Sequence, residues 1–293
     1  MGFAIGDADC SEGGVSRGRG YEEVEMMIKR KTTVAITGGG GVLCAEMAVA
    51  LARSGARLIL VDIDRDRMDA VVERIREQGG EACGFVASVL SKEALQMVMK
   101  EIHKEFGGVD VLINGAGGNR ADATTSESHS FFDLPEDALR FVFDLNLLGT
   151  FFASQVFGAD MARQGSGVII NIASMNAVRP LTRIPAYSAA KAAVANFTQW
   201  LAVHMAQEYS PNIRVVAVAP GFFLTEQNRF LLVDDTGQPT ERGREILQHT
   251  PAGRFGRPQD LVGAIQWLLG PEAEFVTGVM VPVDGGFSAY SGV

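Results

Sequence analysis

Tyr187 and Lys191 stand four residues apart, just after Pro185, at the start of an Ala-rich stretch (187–209) whose pattern reads as a helix. Positions i and i+4 of a helix share a face, so a phenol and an ammonium lie side by side there. Ser174 lies 13 residues upstream, at the end of the apolar run GVIINIAS (167–174), and Asn146 interrupts a long helical stretch. These four residue types suit one chemistry. Adding hydride to a ketone needs an acid to protonate the developing alkoxide, and the reverse oxidation needs the same group as a base. A free tyrosine has a pKa of about 10, so a neighbouring lysine ammonium is expected to lower it. The Ser174 hydroxyl can hold the carbonyl oxygen. Asn146 is unfavourable inside a helix by propensity, which points to a retained hydrogen bond or a held water.

A second constellation opens the regular part of the chain. The apolar run TVAIT (33–37) meets four glycines, Gly38–Gly41, followed by a helical stretch over 42–55. Such a strand–turn–helix unit sets backbone N–H groups and a helix N-terminus against a pyrophosphate. Asp62 ends the next strand-like run, RLILVD, 24 residues past Gly38. A carboxylate there accepts both ribose hydroxyls of NAD(H) and repels a 2′-phosphate. Arg65, close by, is the residue type that admits NADP(H) instead.

The elements that must position these groups alternate. Strand-like runs at 33–37, 57–62, 81–88, 109–117, 167–174, 213–221 and near the C-terminus are separated by helical stretches, among them one long helix over 135–161 and one opened by Ser91. The strand runs are nearly continuous Val/Ile/Leu, the mark of a sheet buried on both faces. This predicts an α/β fold: a single doubly wound, Rossmann-type domain with a mostly parallel sheet and helices on both faces. The composition differs only before residue 32, so residues 1–31 read as a flexible leader and 32–293 as the catalytic domain.

Composition narrows the function classes. The 293 residues carry 26 Lys+Arg against 35 Asp+Glu, a net charge of −9, which argues against a nucleic-acid partner. Three scattered cysteines (Cys10, Cys44, Cys83) form neither a disulfide framework nor a zinc site. Neither an apolar run of transmembrane length nor a basic-then-apolar signal segment is evident, so a cytoplasmic protein without a membrane or metal is expected.

Taken in order, Thr37-Gly38, Asn114-x-Ala116-Gly117, Asn146, Ser174, Tyr187-x-x-x-Lys191 and Pro220-Gly221 with Thr225 resemble the motif series of the short-chain dehydrogenase/reductase family over roughly 32–290. The resemblance implies that Tyr187 is the acid/base, Lys191 also binds nicotinamide ribose, Ser174 polarises the carbonyl and Asn146 holds a relay water. It implies an NAD(H) site built from Gly38, Gly40, Gly41, Val42, Leu43, Asp62, Ser88, Val89, Asn114, Ala116, Gly117, Tyr187, Lys191, Pro220, Gly221, Phe223 and Thr225. Four positions depart from the family pattern: Val42 and Cys44 replace glycines, Ser88 replaces an aspartate, and Gly115 replaces an asparagine.

Longer strings, such as SMNAVRPLTRIPAYSAAKAAVANFTQWLAV (174–203) and PGFFLTEQNR (220–229), resemble the branch of the family that interconverts D-mannonate and D-fructuronate. The expected substrate is then an open-chain keto sugar acid. Its carboxylate needs a local cationic anchor, for which Arg120, Arg179, Arg183 and Arg229 are candidates. Arg183 and Arg120 are favoured, with Asn176 as a neutral donor to a hydroxyl. A reductase of another polyol, sugar acid or 3-oxoacyl substrate is the alternative. A nucleotide sensor that kept the fold would have no need of the tyrosine set. The apolar surface of the 187–209 helix, with Phe197 and Trp200, and the family resemblance both predict a homo-oligomer, a tetramer.

Overall fold

The apolar runs pair as parallel strands: β1 (Thr33–Thr37), β2 (Arg57–Asp62), β3 (Glu81–Val86), β4 (Val111–Asn114), β5 (Gly167–Ile172), β6 (Ile213–Pro220) and β7 (Met280–Val283). The inner ones are buried on both faces and the edge strands β3 and β7 only partly so. Between them lie α1 (Val42–Arg53), α2 (Arg65–Glu77), α3 (Lys92–Phe106), α4 (Glu136–Phe143), α5 (Gly149–Gln164), α6 (Pro185–Glu208), α7 (Arg229–Leu232), α8 (Glu241–Gln248) and α9 (Val262–Leu269). This computed structural model describes residues 32–225 and 228–292; the leader expected over 1–31 lies outside the described residues.

The strands form one sheet in the order β3-β2-β1-β4-β5-β6-β7, every neighbouring pair parallel. Chain order reverses between β1 and β4, the place where open α/β sheets bind their ligands at the carboxyl ends of the strands. Successive residues of a strand face opposite sides, so Val34 and Ile36 pack under α1, α2 and α9 while Ala35 packs under α3, α5 and α6. Local chemistry sets the helix starts. Asp64 Oδ1 accepts from Arg67 N at 3.1 Å to open α2, and Ser91 Oγ accepts from Ala94 N at 3.2 Å to open α3.

The single long helix expected over 135–161 is instead α4 and α5 joined by a π-helical turn over Asp144–Leu148. Side chains cause it. Asn146 Nδ2 donates to Val142 O at 2.8 Å and Thr150 Oγ1 donates to Asn146 O at 2.9 Å, taking up the i−4 carbonyls that backbone N–H groups would use. By length and composition the run 136–164 could cross a membrane, yet half of its apolar window is buried. Ala153, Phe157 and Met161 carry that burial, packed on the sheet.

Candidate active site

Ser174 follows β5 and is 8% exposed. Its Oγ accepts the N–H of Asn176 at 3.2 Å, which opens the short turn Met175–Ala177. With an acceptor site so occupied, its own O–H is left to donate. Tyr187 and Lys191 lie in the first two turns of α6, with Pro185 as the first helical residue. Lys191 is 4% exposed; its Nζ donates to Ile172 O at 2.7 Å and sits 5.6 Å from the centre of the Tyr187 ring. Burial pulls the Lys191 pKa down to about 8. The expected lowering of Tyr187 by this ammonium is not what the structure gives. Burial pushes the phenol above its ordinary value, and it is a hydrogen bond from Ser174 that draws it back down.

Asn146 is fully buried in the π-helical turn. Besides Val142 O, its Nδ2 donates to Gly118 O at 2.7 Å, and its Oδ1 accepts Gly118 N at 3.1 Å. A Cβ on Gly117 would come within 2.7 Å of Asn146 Oδ1 and 3.2 Å of Lys191 Nζ, so only glycine fits between them. The turn after β4, the π-helical turn and α6 therefore meet at one point.

The glycine turn is packed on three sides. Gly38 has φ +67°, and a Cβ there would lie 2.8 Å from the Ala116 backbone; Cβ atoms on Gly39 and Gly40 would meet Leu60 and Arg67 at 2.8 and 3.0 Å. Gly41 precedes α1 without a side-chain cap, which leaves the first N–H groups at Val42 and Leu43 to an external anion. Asp62 Oδ2 accepts from Gly40 N and Oδ1 from Asp64 N, both at 2.9 Å, fixing the carboxylate beside the turn. Arg65 is turned along α2 toward Asp69. Such a cradle, with an acid at the end of β2, fits a dinucleotide without a 2′-phosphate.

The remaining expected contacts divide into surfaces and supports. Asn114 Nδ2 donates to Ser154 Oγ (3.0 Å) and Asn171 Oδ1 (2.8 Å), tying β4 to α5 and β5. Ser88 Oγ accepts from Leu90 N at 3.2 Å, and Val89 is buried against Gly149. Past β6, a Cβ on Gly221 would meet Asp284 at 2.6 Å, so Pro220-Gly221 passes tightly beneath the C-terminal segment. Phe223 is buried in the core beneath α1 and α9. Asn228, which the sequence reading missed, clamps this loop: its Oδ1 accepts Thr225 N at 2.8 Å and its Nδ2 donates to Phe223 O at 2.7 Å. The available signal was an Asn three residues past Thr225 in a polar stretch, the residue type that holds turns through its side chain.

The arginines separate. Arg120 is engaged by Asp122 and, at 3.4 Å, by Asp137, with its guanidinium 5.4 Å from the Phe141 ring centre. That pairing holds the guanidinium between its own loop and α4, so anchoring a carboxylate would require Arg120 to exchange these partners. Arg179 Nε donates to Ser288 O at 3.0 Å. Arg183 and Arg229 are exposed, and Arg183 O accepts Thr125 N at 2.8 Å, joining the two loops beside the site. Asn176 is 4% exposed, and its Oδ1 is buried without a partner; its backbone, rather than its side chain, meets Ser174.

The chain belongs to the short-chain dehydrogenase family, whose model matches residues 32–234. It is 48% identical to the uncharacterized oxidoreductase UxuB of Bacillus subtilis (strain 168), over 89% of this chain and 96% of that protein. A structure from Haemophilus influenza with bound NAD, provisionally named a D-mannonate oxidoreductase, superposes with a TM-score of 0.86 at 46% identity, covering 92% and 99% of the two chains. More distant, the 7alpha-hydroxysteroid dehydrogenase of Escherichia coli (strain K12) is 32% identical over 86% of this chain and 92% of its own.

Proposed function

We propose that this oxidoreductase transfers hydride between NAD(H) and an open-chain keto sugar acid, with D-fructuronate and D-mannonate as the pair. The observation that carries the proposal is the convergence of Ser174, Tyr187, Lys191 and Asn146 beside an acid-ended glycine cradle. NADH, once bound, supplies the hydride. The Ser174 hydroxyl, its acceptor site taken by Asn176 N, turns its one proton from Tyr187 to the carbonyl oxygen of a bound substrate. The Tyr187 hydroxyl delivers the proton to the developing alkoxide, and in the oxidation the same oxygen takes it back. Lys191 keeps one donor on Ile172 O and has two more for the cofactor ribose.

The likeness to the Haemophilus structure supports the substrate, and exposed Arg183 beside the Thr125 loop supplies the cation for its carboxylate. Free Cys44 and Cys83 thiols support a reducing, cytoplasmic setting. The test follows the near-ultraviolet absorbance of NADH with D-fructuronate, a neutral ketose, a 3-oxoacyl thioester and an oxosteroid. Turnover of the acid well above the others is expected. Preference for any of the other three, or no turnover of D-fructuronate, would overturn the substrate.

A further inference from the structure

The turn after β1 and the turn after β4 meet along one seam. Thr37 Oγ1 accepts across it from Gly115 N (3.2 Å) and Ala116 N (3.3 Å). In the middle stands Cys44, in the first turn of α1. Its thiol is buried, donates to Thr37 O at 3.9 Å, and fills the volume that a Cβ on Gly115 would need. Gly115 is not among the glycines with positive φ. Its missing side chain therefore answers to the atoms around it, first the Cys44 sulfur, which a Cβ would overlap, and then the Thr37 carbonyl oxygen at 2.8 Å, and not to backbone conformation.

We propose that Cys44 and Gly115 are a coupled positioning pair, one giving bulk and the other giving it up, that sets the spacing of the two turns between which the dinucleotide binds. A glycine near the start of such a helix lets helix and strand approach closely. A sulfur at that place forces them apart unless the facing strand yields, and Gly115 is where it yields. The thiol stays a neutral spacer beside Asp62 and Lys191, because burial above all holds its proton on, up to about 12. Neither residue touches the reacting atoms; both act through the turns that carry Gly38 and Ala116. The inference rests on the NAD(H) reading above.

The test compares Gly115→Ala, Cys44→Gly and the double variant with the unaltered protein. The readouts are the thermal midpoint of the cofactor-free chain and the NADH Kd by fluorescence titration. Gly115→Ala is expected to lower the midpoint and weaken NADH about tenfold or more, and Cys44→Gly to weaken it by about threefold at most. In the double variant the vacated sulfur volume accepts the methyl. The 2.8 Å approach to the Thr37 carbonyl oxygen remains and asks the backbone itself to move, so part of both losses is recovered. A pair that served stability alone would lower the midpoint of Gly115→Ala and leave its Kd untouched; that result, or a double variant no better than Gly115→Ala, overturns the proposal. If the unaltered protein binds no NADH, the cofactor reading falls separately. The midpoints then decide the coupling, with non-additive losses supporting it and additive ones overturning it.

Discussion

Lys191 is a cation kept where burial opposes its charge, and the sign of that opposition sets the pH behaviour. Tyr187 is pushed above its ordinary value and keeps its proton well past neutrality, whereas Lys191 loses its own at about 8. Reduction at saturating substrate is expected to be flat through neutral pH and to fall as pH passes about 8. A fall that begins only where a phenol titrates would show that the lysine charge is dispensable. The same shift acts on stability. The folded value lies below the ordinary 10.5, so between about 8 and 10.5 the unfolded chain binds more protons and this group makes stability rise with pH. Urea midpoints across that window should climb less in Lys191→Met than in the unaltered protein. Tyr187→Phe removes only the transferable proton, so turnover should drop about 10²–10⁴-fold while the NADH Kd stays within about twofold. Tyr187, Lys191 and Ser174 were legible in the sequence because their spacing is local to one helix and one strand end, and Asn146 because it is a poor helix residue inside a helical stretch. The direction of the tyrosine shift was not, because burial belongs to the assembled fold.

Among the elements, strand positions and a mostly parallel sheet followed from runs of Val and Ile, but the break in the long helix did not. Asn146 announces itself as a poor helix residue; that it bonds Val142 O and Gly118 as one clamp depends on where the turn after β4 arrives. Gly115 and Cys44, 71 residues apart, looked like two unrelated departures until packing put them in contact. The attachment of α5 offers a test at this scale. Asp160, buried near its end, accepts from Val109 N (3.0 Å), Gln164 Nε2 (2.8 Å), Arg163 (2.5 Å) and His103 Nε2 (2.9 Å). This one carboxylate joins α3 and α5 to the approach of β4, whose far end carries Asn114. Asp160→Ala leaves buried donors unpaired and should cost about 3 kcal/mol in urea unfolding. A loss under about 0.5 kcal/mol would show that solvent replaces the carboxylate freely.

For the molecule as a whole, the face formed by α5 and α6 keeps the large side chains of Trp200, Val203 and Tyr209 exposed. Phe151 stacks on Phe197 at 3.7 Å, and the column continues through Trp200, His204 (4.7 Å from Trp200) and Tyr209 at the end of α6. Trp200 is 55% exposed and Val203 57%. The column borders an open groove of about 710 Å³ rimmed by Lys92, Gln155 and Arg163. Large apolar groups in a row on a polar-rimmed face mark an association site, and a symmetric pair of identical faces is the simplest closure. We infer that a second copy covers this face and that two such pairs make the tetramer. The sequence showed the small and aromatic residues of the helix; which of them stay exposed follows only from how α6 lies on β5 and β6. Because α6 also carries Tyr187 and Lys191, its burial between subunits would brace the catalytic pair. Light scattering at micromolar concentration should give a mass several times 31.3 kDa. Trp200→Glu, placing a charge in the column, should shift the mass to smaller species and lower turnover, with the NADH Kd little changed. A monomeric mass for the unaltered protein, or a Trp200→Glu variant with its assembly intact, would remove this face from the interface.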